Sequence, residues 1–141
     1  MGNIADKIVT DERGTVDKLA TIFKMQKSFD DEVIERRNLQ GISACEWLQK
    51  QTLAMVSELA ELLDEVNFKW WKNPKEINYD NVKEELVDIL HFFVGTCIKT
   101  GMDGNELLER YLAKNKENFD RQYGRSKKLG YSLEEIGKIG K

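Results

Sequence analysis

Apolar side chains recur at intervals of three and four residues along most of the chain, which is the period of an amphipathic α-helix. The pattern predicts four helices: about Val16 to Leu39, Ser43 to about Trp71, near Val82 to Gly101, and near Asn105 to about Gly124. After these, the sequence Ser132-Leu-Glu-Glu predicts one further short turn of helix. We therefore expect helices joined by short connections.

Start and stop signals agree with these limits. Ser43 is followed three residues later by a glutamate, a capping-box pattern that predicts the start of the second helix. Gly41 is predicted to lie at or just after the end of the first helix. The Asn73-Pro74 dipeptide marks the clearest break in the chain, because the residue before a proline avoids the helical conformation. Asp80 is the predicted N-cap of the third helix, and Gly101 is predicted to end it.

The composition favours an all-α fold. Of the 141 residues, 40% are apolar and 33% are charged, which is enough for a core under a charged surface. There is one proline, which is too little turn punctuation for many short strands. We predict an all-α bundle of four to five helices that forms a single domain over residues 1–141, with its core at about residues 16–124 and a tail at residues 125–141.

Composition and charge also exclude several classes of protein. No stretch approaches about 18 uncharged apolar residues, so no transmembrane helix is expected, and the acidic start is unlike an export signal. The net charge of −3 and the pI near 5.3 give no general attraction to nucleic acid or to an anionic membrane. Cys45 and Cys97 are too few for a disulfide framework or a zinc site, and we interpret both as reduced, buried thiols of a cytoplasmic protein.

Two pairs of acidic residues are the candidate chemical groups. Glu58 and Glu61 lie in the second predicted helix and Glu85 and Asp88 in the third, with a spacing of three in each pair. That spacing places both members of a pair on one side of their helix, beside its apolar stripe. If the two stripes pack together, the four carboxylates converge at one edge of the interface. Glu65, one turn beyond Glu61, is expected to be solvated instead.

Converging carboxylates repel one another, so a stable fold requires protons or cations between them. A set of oxygen ligands suits Mg²⁺ or Mn²⁺, and magnesium indicates chemistry on phosphate esters or phosphoanhydrides. The Glu-x-x-Glu spacing is also common on solvated helices, so an ordinary charged surface is the alternative. A di-iron bundle is disfavoured, because it needs a histidine on each of two helices and His91 is the only histidine.

Three segments of the chain carry a family likeness. They are Ser57–Glu61, Phe68–Lys72 and Glu84–Phe92, which read SELAE, FKWWK and EELVDILHF. Together they resemble the dimeric all-α dUTPases, a branch of the MazG-like nucleoside triphosphate pyrophosphatases, whose pattern is Glu-x-x-Glu, a gap and then Glu-x-x-Asp. The likeness extends from about Leu19 to Tyr131.

The resemblance implies a MazG-like all-α fold and the hydrolysis of dUTP to dUMP and pyrophosphate. In relatives of this kind the four acids hold Mg²⁺ ions, which clamp the triphosphate and activate a water molecule. The metal ligands here would be Glu58, Glu61, Glu85 and Asp88, and Glu58 and Glu61 are expected to orient the attacking water. Mn²⁺ is an alternative ion, and the resemblance also implies a homodimer.

A second group of candidate residues lies in the fourth predicted helix. Lys114, Asn118 and Arg121 are spaced i, i+4 and i+7, so they share one face and can bind phosphate oxygens. The family looks similar at this spacing and carries a Gly-Tyr pair soon afterwards, which Gly130-Tyr131 matches. These three residues and Tyr131 are the predicted phosphate-binding group. A solvated basic face is the alternative.

Base and sugar recognition follow from the resemblance alone. Gln26 matches a glutamine that hydrogen-bonds uracil, and Trp71 matches an aromatic residue that packs against the base. His91 and Phe92 match positions near the deoxyribose. Asp30 stands where relatives usually carry an asparagine, so a pyrophosphatase for dCTP or a modified nucleotide is an alternative to a dUTPase. A helical module that binds proteins through exposed aromatic residues is the non-enzymatic alternative.

Overall fold

The computed structural model describes residues 4–136, and in that range it is built from helices. A short 3₁₀ turn at Ile4–Lys7 precedes five α-helices: α1 (Lys18–Arg36), α2 (Ala44–Glu65), α3 (Tyr79–Lys99), α4 (Gly104–Gln122) and α5 (Leu133–Ile136). The described residues contain no strand, and their one β-bridge joins Thr10 to Val16. The predicted all-α class is therefore confirmed.

The chain divides into two compact units, Met1–Asp103 and Gly104–Lys141. The first contains α1, α2 and α3, and the second contains α4 and α5. The predicted single domain over residues 1–141 and its tail at 125–141 extend outside the described residues, and both stay predictions. Among the described residues, no helix combines the length and the apolar character that crossing a bilayer requires.

In the first unit, α3 is the helix that the other two share. It packs along α2 and also contacts α1. Phe23 of α1 and Val94 and Cys97 of α3 are the buried apolar residues, and two glutamines, Gln26 and Gln51, are buried beside them. Because α2 and α3 lie side by side, acidic residues beside the apolar stripes of both helices are brought close together.

The start of α2 follows the predicted capping box. The Ser43 hydroxyl accepts a hydrogen bond from the Glu46 backbone N–H, and the Glu46 carboxylate accepts one from the Ser43 backbone N–H, both at 3.2 Å. Cys45 lies in this first turn and is exposed, so the prediction that both cysteines are buried is wrong for Cys45. Cys97 is buried as predicted, and burial raises the pKa of its thiol.

The end of α2 differs from the prediction. The helix stops at Glu65 rather than near Trp71, and Asn67 then takes a left-handed conformation with φ +58°. The Asn67 side chain donates to the Lys75 carbonyl at 2.7 Å and accepts from the Lys75 N–H at 3.0 Å. These two bonds join the start of the connection between α2 and α3 to a residue eight positions later. An asparagine suits this place because it tolerates the left-handed conformation better than most non-glycine residues do.

The limits of α1 and α3 agree with the sequence signals only in part. The N-cap of α3 is Asn78, whose side chain accepts from two backbone N–H groups, so the predicted cap at Asp80 is wrong by two residues. Asp80 instead places negative charge in the first turn, where the helix dipole favours it. Gly101, with φ +83°, ends α3 as predicted. The left-handed residue after α1 is Asn38, which precedes the predicted Gly41.

Candidate active site

Three of the four predicted metal-ligating acids form one cluster. Glu58 and Glu61 project from adjacent turns of α2, and Glu85 projects from α3. One carboxylate oxygen from each residue lies within 4.8 Å of the other two. Asp88, one turn beyond Glu85, lies outside this triangle, although its charge raises the pKa of both Glu58 and Glu85. We name Glu58, Glu61 and Glu85 the acidic cluster.

In the part of the chain that the structure describes, every cause that shifts the pKa of Glu58 or Glu85 raises it. Burial is the largest cause that raises the pKa of Glu85, followed by the charges of Glu61 and Glu58. Burial likewise raises the pKa of Glu58, followed by the charge of Glu61. Oε2 of Glu85 is buried without a hydrogen-bond partner among the described residues. A hard divalent cation fits such a set, because it would give these oxygens the positive partner that they lack.

Glu65 lies outside the acidic cluster. It was predicted to be solvated, but its carboxylate has partners within the protein. Its carboxylate pairs with the Lys75 ammonium at 3.2 Å and accepts a hydrogen bond from Asn81 at 3.3 Å. Its charge still contributes to raising the pKa of Glu85. Glu65 therefore anchors the connection between α2 and α3 beside the acidic cluster.

A cavity of about 550 Å³ lies within the first unit, lined by residues of α1, α2 and α3. Residues with polar or aromatic side chains that line it include Gln26, Asp30, Trp47, Gln51, Asp88, His91, Phe92 and Lys99. Asp88 therefore faces the cavity and also acts electrostatically on the acidic cluster. The cavity and the cluster are neighbouring parts of one candidate site.

A chain of hydrogen bonds crosses the cavity wall. Nδ1 of His91 lies 2.6 Å from Oε1 of Gln26, and Nε2 of Gln26 donates to Oδ1 of Asp30 at 2.8 Å. Gln26 is only 6% exposed, so its amide is held between the two neighbours. Burial raises the pKa of Asp30, while the hydrogen bond from Gln26 and the charge of Lys99 oppose that shift.

The structure brings together some of the residues assigned to the base and sugar but not all. Gln26, His91 and Phe92 line the cavity. Trp71 is 60% exposed, is not among the lining residues, and packs edge-to-face against Trp70 with ring centroids 5.6 Å apart. The aromatic residue that lines the cavity from α2 is Trp47, which the sequence analysis missed. Trp47 precedes Gln51 by four residues and Ala54 by seven, so the three share one face of a helix. That spacing is the sequence signal that could have identified Trp47.

In the second unit, the predicted phosphate-binding residues lie along one helix. Lys114, Asn118 and Arg121 all fall within α4, so their spacing places them on one face. Arg121 donates from Nε to Glu117 at 3.0 Å, and its guanidinium carbon lies 5.3 Å from the centre of the Tyr131 ring. These contacts hold Arg121 and Tyr131 together. Phosphate binding by the four residues stays a prediction.

Comparisons with known proteins give a family and two relatives. A family model described as dUTPase matches residues 18–106, a range that includes both acidic pairs and ends before Lys114. The dCTP pyrophosphatases of Enterobacteria phage T4 and Enterobacteria phage LZ5 are each 46% identical to the chain over 41 residues. That segment is 29% of this chain and 24% of each relative, so the chain matches about a quarter of their length. No solved structure matches the chain.

Proposed function

The chain belongs to the dUTPase family, and from that premise we propose that it is a divalent-cation-dependent pyrophosphatase for a deoxypyrimidine nucleoside triphosphate. The reaction would convert the triphosphate to the monophosphate and pyrophosphate. The observation that carries the proposal is the convergence of Glu58, Glu61 and Glu85 next to Asp88, which acts electrostatically on the cluster and lines the cavity. Carboxylates that raise one another's pKa, placed next to a nucleotide-sized cavity, suit a metal-assisted reaction on phosphates.

Each acid has a proposed part in this reaction. Glu58, Glu61 and Glu85 would hold Mg²⁺, or alternatively Mn²⁺, with Asp88 at the edge facing the cavity. When bound, the cation supplies charge neutralisation for the phosphates and a more acidic water. Glu61 is the exposed member of the cluster, so its carboxylate is accessible to the attacking water. Glu58 and Glu61 are the residues that we propose orient that water and accept its proton.

The remaining substrate contacts are proposed from the cavity and from α4. Gln26 would contact the base, and His91 and Phe92 the sugar, because all three line the cavity. Trp71 was expected at the base, and its exposed ring gives the proposal no support within this unit. The proposed phosphate contacts are Lys114, Asn118, Arg121 and Tyr131.

Two substrates are candidates, each with its own support. The family assignment favours dUTP. The names of the two phage relatives favour dCTP, and so does Asp30, which departs from the asparagine expected in a dUTPase.

Product analysis with each deoxynucleoside triphosphate tests the activity. We expect Mg²⁺-dependent release of pyrophosphate from dUTP or dCTP at rates at least about tenfold above those for dATP and dGTP, because the cavity would have to discriminate bases by hydrogen bonds. The same incubations with a chelator are the control. Release of orthophosphate instead of pyrophosphate, or equal rates with and without chelator, would contradict the proposal. Retained binding of a protein partner by a chain inactive on every nucleotide would favour the non-enzymatic module.

A homodimer is also proposed, on the basis of an apolar stripe on α2. Leu53, Val56, Leu59 and Leu63 recur at helical spacing and are all exposed, Leu53 by 69%. An exposed stripe of this kind is typical of a surface that a partner covers, and a second copy of the chain is the proposed partner. Sedimentation equilibrium should give twice the chain mass of 16.4 kDa. The L53K/V56K variant should sediment as a monomer, whereas T52K, also exposed, should remain a dimer.

We propose the cytoplasm as the compartment in which the chain works. Both cysteines are free, and Cys45 is exposed. A free exposed thiol persists best where glutathione and thioredoxin keep thiols reduced.

A further inference from the structure

The Asp30 carboxylate, which lines the cavity, is only partly hydrogen-bonded among the described residues. Asp30 accepts a hydrogen bond from Gln26 at Oδ1, but its Oδ2 is buried and has no partner among the described residues. The amide oxygen of Gln51, which lines the same cavity, is also buried and unpartnered. Both unsatisfied atoms are acceptors. Because an unpaired buried polar atom costs free energy, the cavity is complementary to a ligand that donates hydrogen bonds there.

The two side chains meet at Gly95 of α3. A Cβ atom at this position would lie 2.7 Å from Nε2 of Gln51 and 3.2 Å from Oδ2 of Asp30. The glycine therefore leaves the room in which the ends of both side chains sit. Gln51 and Asp30 come from different helices, both line the cavity, and the ends of their side chains meet at this one glycine.

The orientation of the Asp30 carboxylate is set by its neighbours. His91 faces Oε1 of Gln26, and this contact turns Nε2 of Gln26 towards Asp30. With Oδ1 engaged by that donor, Oδ2 is the oxygen of Asp30 that has no hydrogen-bond partner among the described residues. Gln26 and His91 are thus positioning residues for Asp30, in addition to any contact that they make with the nucleotide.

We propose that Asp30 determines the base specificity by accepting a hydrogen bond from the 4-amino group of cytosine, so that the chain prefers dCTP to dUTP. The inference rests on the proposed function, since it takes the cavity to receive the base. Cytosine presents an N–H₂ donor at position 4, whereas uracil presents a carbonyl oxygen there. That oxygen would face the carboxylate acceptor with no hydrogen to share, which disfavours uracil.

The position of Asp30 along the site agrees with this assignment. Gly95, which contacts the Asp30 end, is seven residues from Asp88 on α3, or about 10 Å at 1.5 Å per residue. Asp88 is the lining residue that acts on the acidic cluster. A nucleotide can therefore place its base beside Asp30 and its phosphates towards the carboxylates.

Asp30→Asn is the variant that tests the inference. Nε2 of Gln26 requires an acceptor, so the introduced amide would turn its oxygen to Gln26 and its NH₂ group to the position now held by Oδ2. An NH₂ group there complements the uracil carbonyl. In wild type, we expect kcat/KM for dCTP to exceed that for dUTP by about tenfold or more, and in Asp30→Asn we expect that ratio to fall by at least about tenfold.

Asp31→Asn is the matched control. Asp31 is the adjacent residue, is exposed, and pairs with Lys27 at 2.6 Å on the surface. The substitution removes the same charge outside the cavity, so the ratio of kcat/KM values should stay as in wild type. A general electrostatic effect on nucleotide binding would move the ratio equally in both variants, and that result would overturn the inference.

The remaining outcomes separate the inference from the proposed function. A wild type that prefers dUTP, or an unchanged ratio in Asp30→Asn, overturns the role of Asp30 and leaves the pyrophosphatase standing. Hydrolysis of no deoxynucleoside triphosphate overturns the proposed function. In that event the inference is decided by calorimetric titration of wild type and Asp30→Asn with the α,β-imido analogues of dCTP and dUTP, where tighter binding of the dCTP analogue to wild type alone supports it and equal affinities reject it.

Discussion

Replacing Glu61 with glutamine is expected to reduce pyrophosphate release by on the order of a thousandfold. Glutamine keeps the size of the side chain but removes one of three carboxylates whose oxygens lie within 4.8 Å of one another. It also removes a base that we place at the attacking water. The measurement is steady-state hydrolysis of dCTP and dUTP over a range of Mg²⁺ concentrations, and added Mg²⁺ should restore only a small part of the rate.

Glu84→Gln is the matched control for this prediction. Glu84 immediately precedes Glu85, is exposed, and is outside the acidic cluster. Its activity should stay within about twofold of wild type, as is usual for surface substitutions. Equal losses in the two variants would mean that net charge, rather than the cluster, governs the rate. Full activity in Glu61→Gln would remove Glu61 from the site.

The same variant has a second readout in the absence of divalent cations. The charge of Glu61 raises the pKa of both Glu58 and Glu85, so the three carboxylates destabilise one another when all are ionised. Glu61→Gln should therefore unfold at a slightly higher temperature than wild type in the presence of a chelator. A variant that is less active yet more stable is the result expected of a functional cluster rather than a structural one.

The sequence predicted the helices well because their signals are local. Apolar periodicity and caps depend on residues within a few positions of each other, and the Ser43 capping box and the Gly101 stop were predicted correctly. The end of α2 was predicted too late because it is set by the Asn67 side chain binding the backbone of Lys75, eight residues away. The apolar residues after Glu65 extend the helical pattern, and nothing local reveals that contact.

The candidate site likewise contains residues that the sequence predicts and contacts that only the packed structure reveals. The acidic pairs could be predicted because each lies beside an apolar stripe, and packing of α2 on α3 then brings Glu58, Glu61 and Glu85 together. The link from His91 to Gln26 spans 65 residues along the chain and exists only once α1 and α3 are packed. The sequence showed that Asp30 was unusual, but its unpaired oxygen is a property of the packed cavity.

Stability without divalent cations is expected to fall as the pH rises above 4.5, the ordinary pKa of a glutamate. The pKa values of Glu58 and Glu85 are raised above the ordinary value of 4.5, so the folded state favours their protonated forms. This contribution is fully present below pH 4.5 and is lost as the pH rises through the raised pKa values. Asp64 and Asp120 have lowered pKa values, and the stability that they contribute is lost only as the pH falls below their ordinary range.

Mg²⁺ or Mn²⁺ is expected to reverse this trend, because cation binding requires the ionised carboxylates. A cation at about 100 times its Kd would contribute about 2.7 kcal/mol, which corresponds to a rise in Tm on the order of 10 °C for a unit of this size. The rise in Tm should be larger at about pH 8 than near pH 4.5, the ordinary pKa of a glutamate, as measured by calorimetry at matched ionic strength. Glu61→Gln should show a much smaller rise, and Glu84→Gln the full one. Equal rises at both pH values would show that the ion binds elsewhere. Stabilisation by the cation depends on pH only where the ligands lose protons when the cation binds.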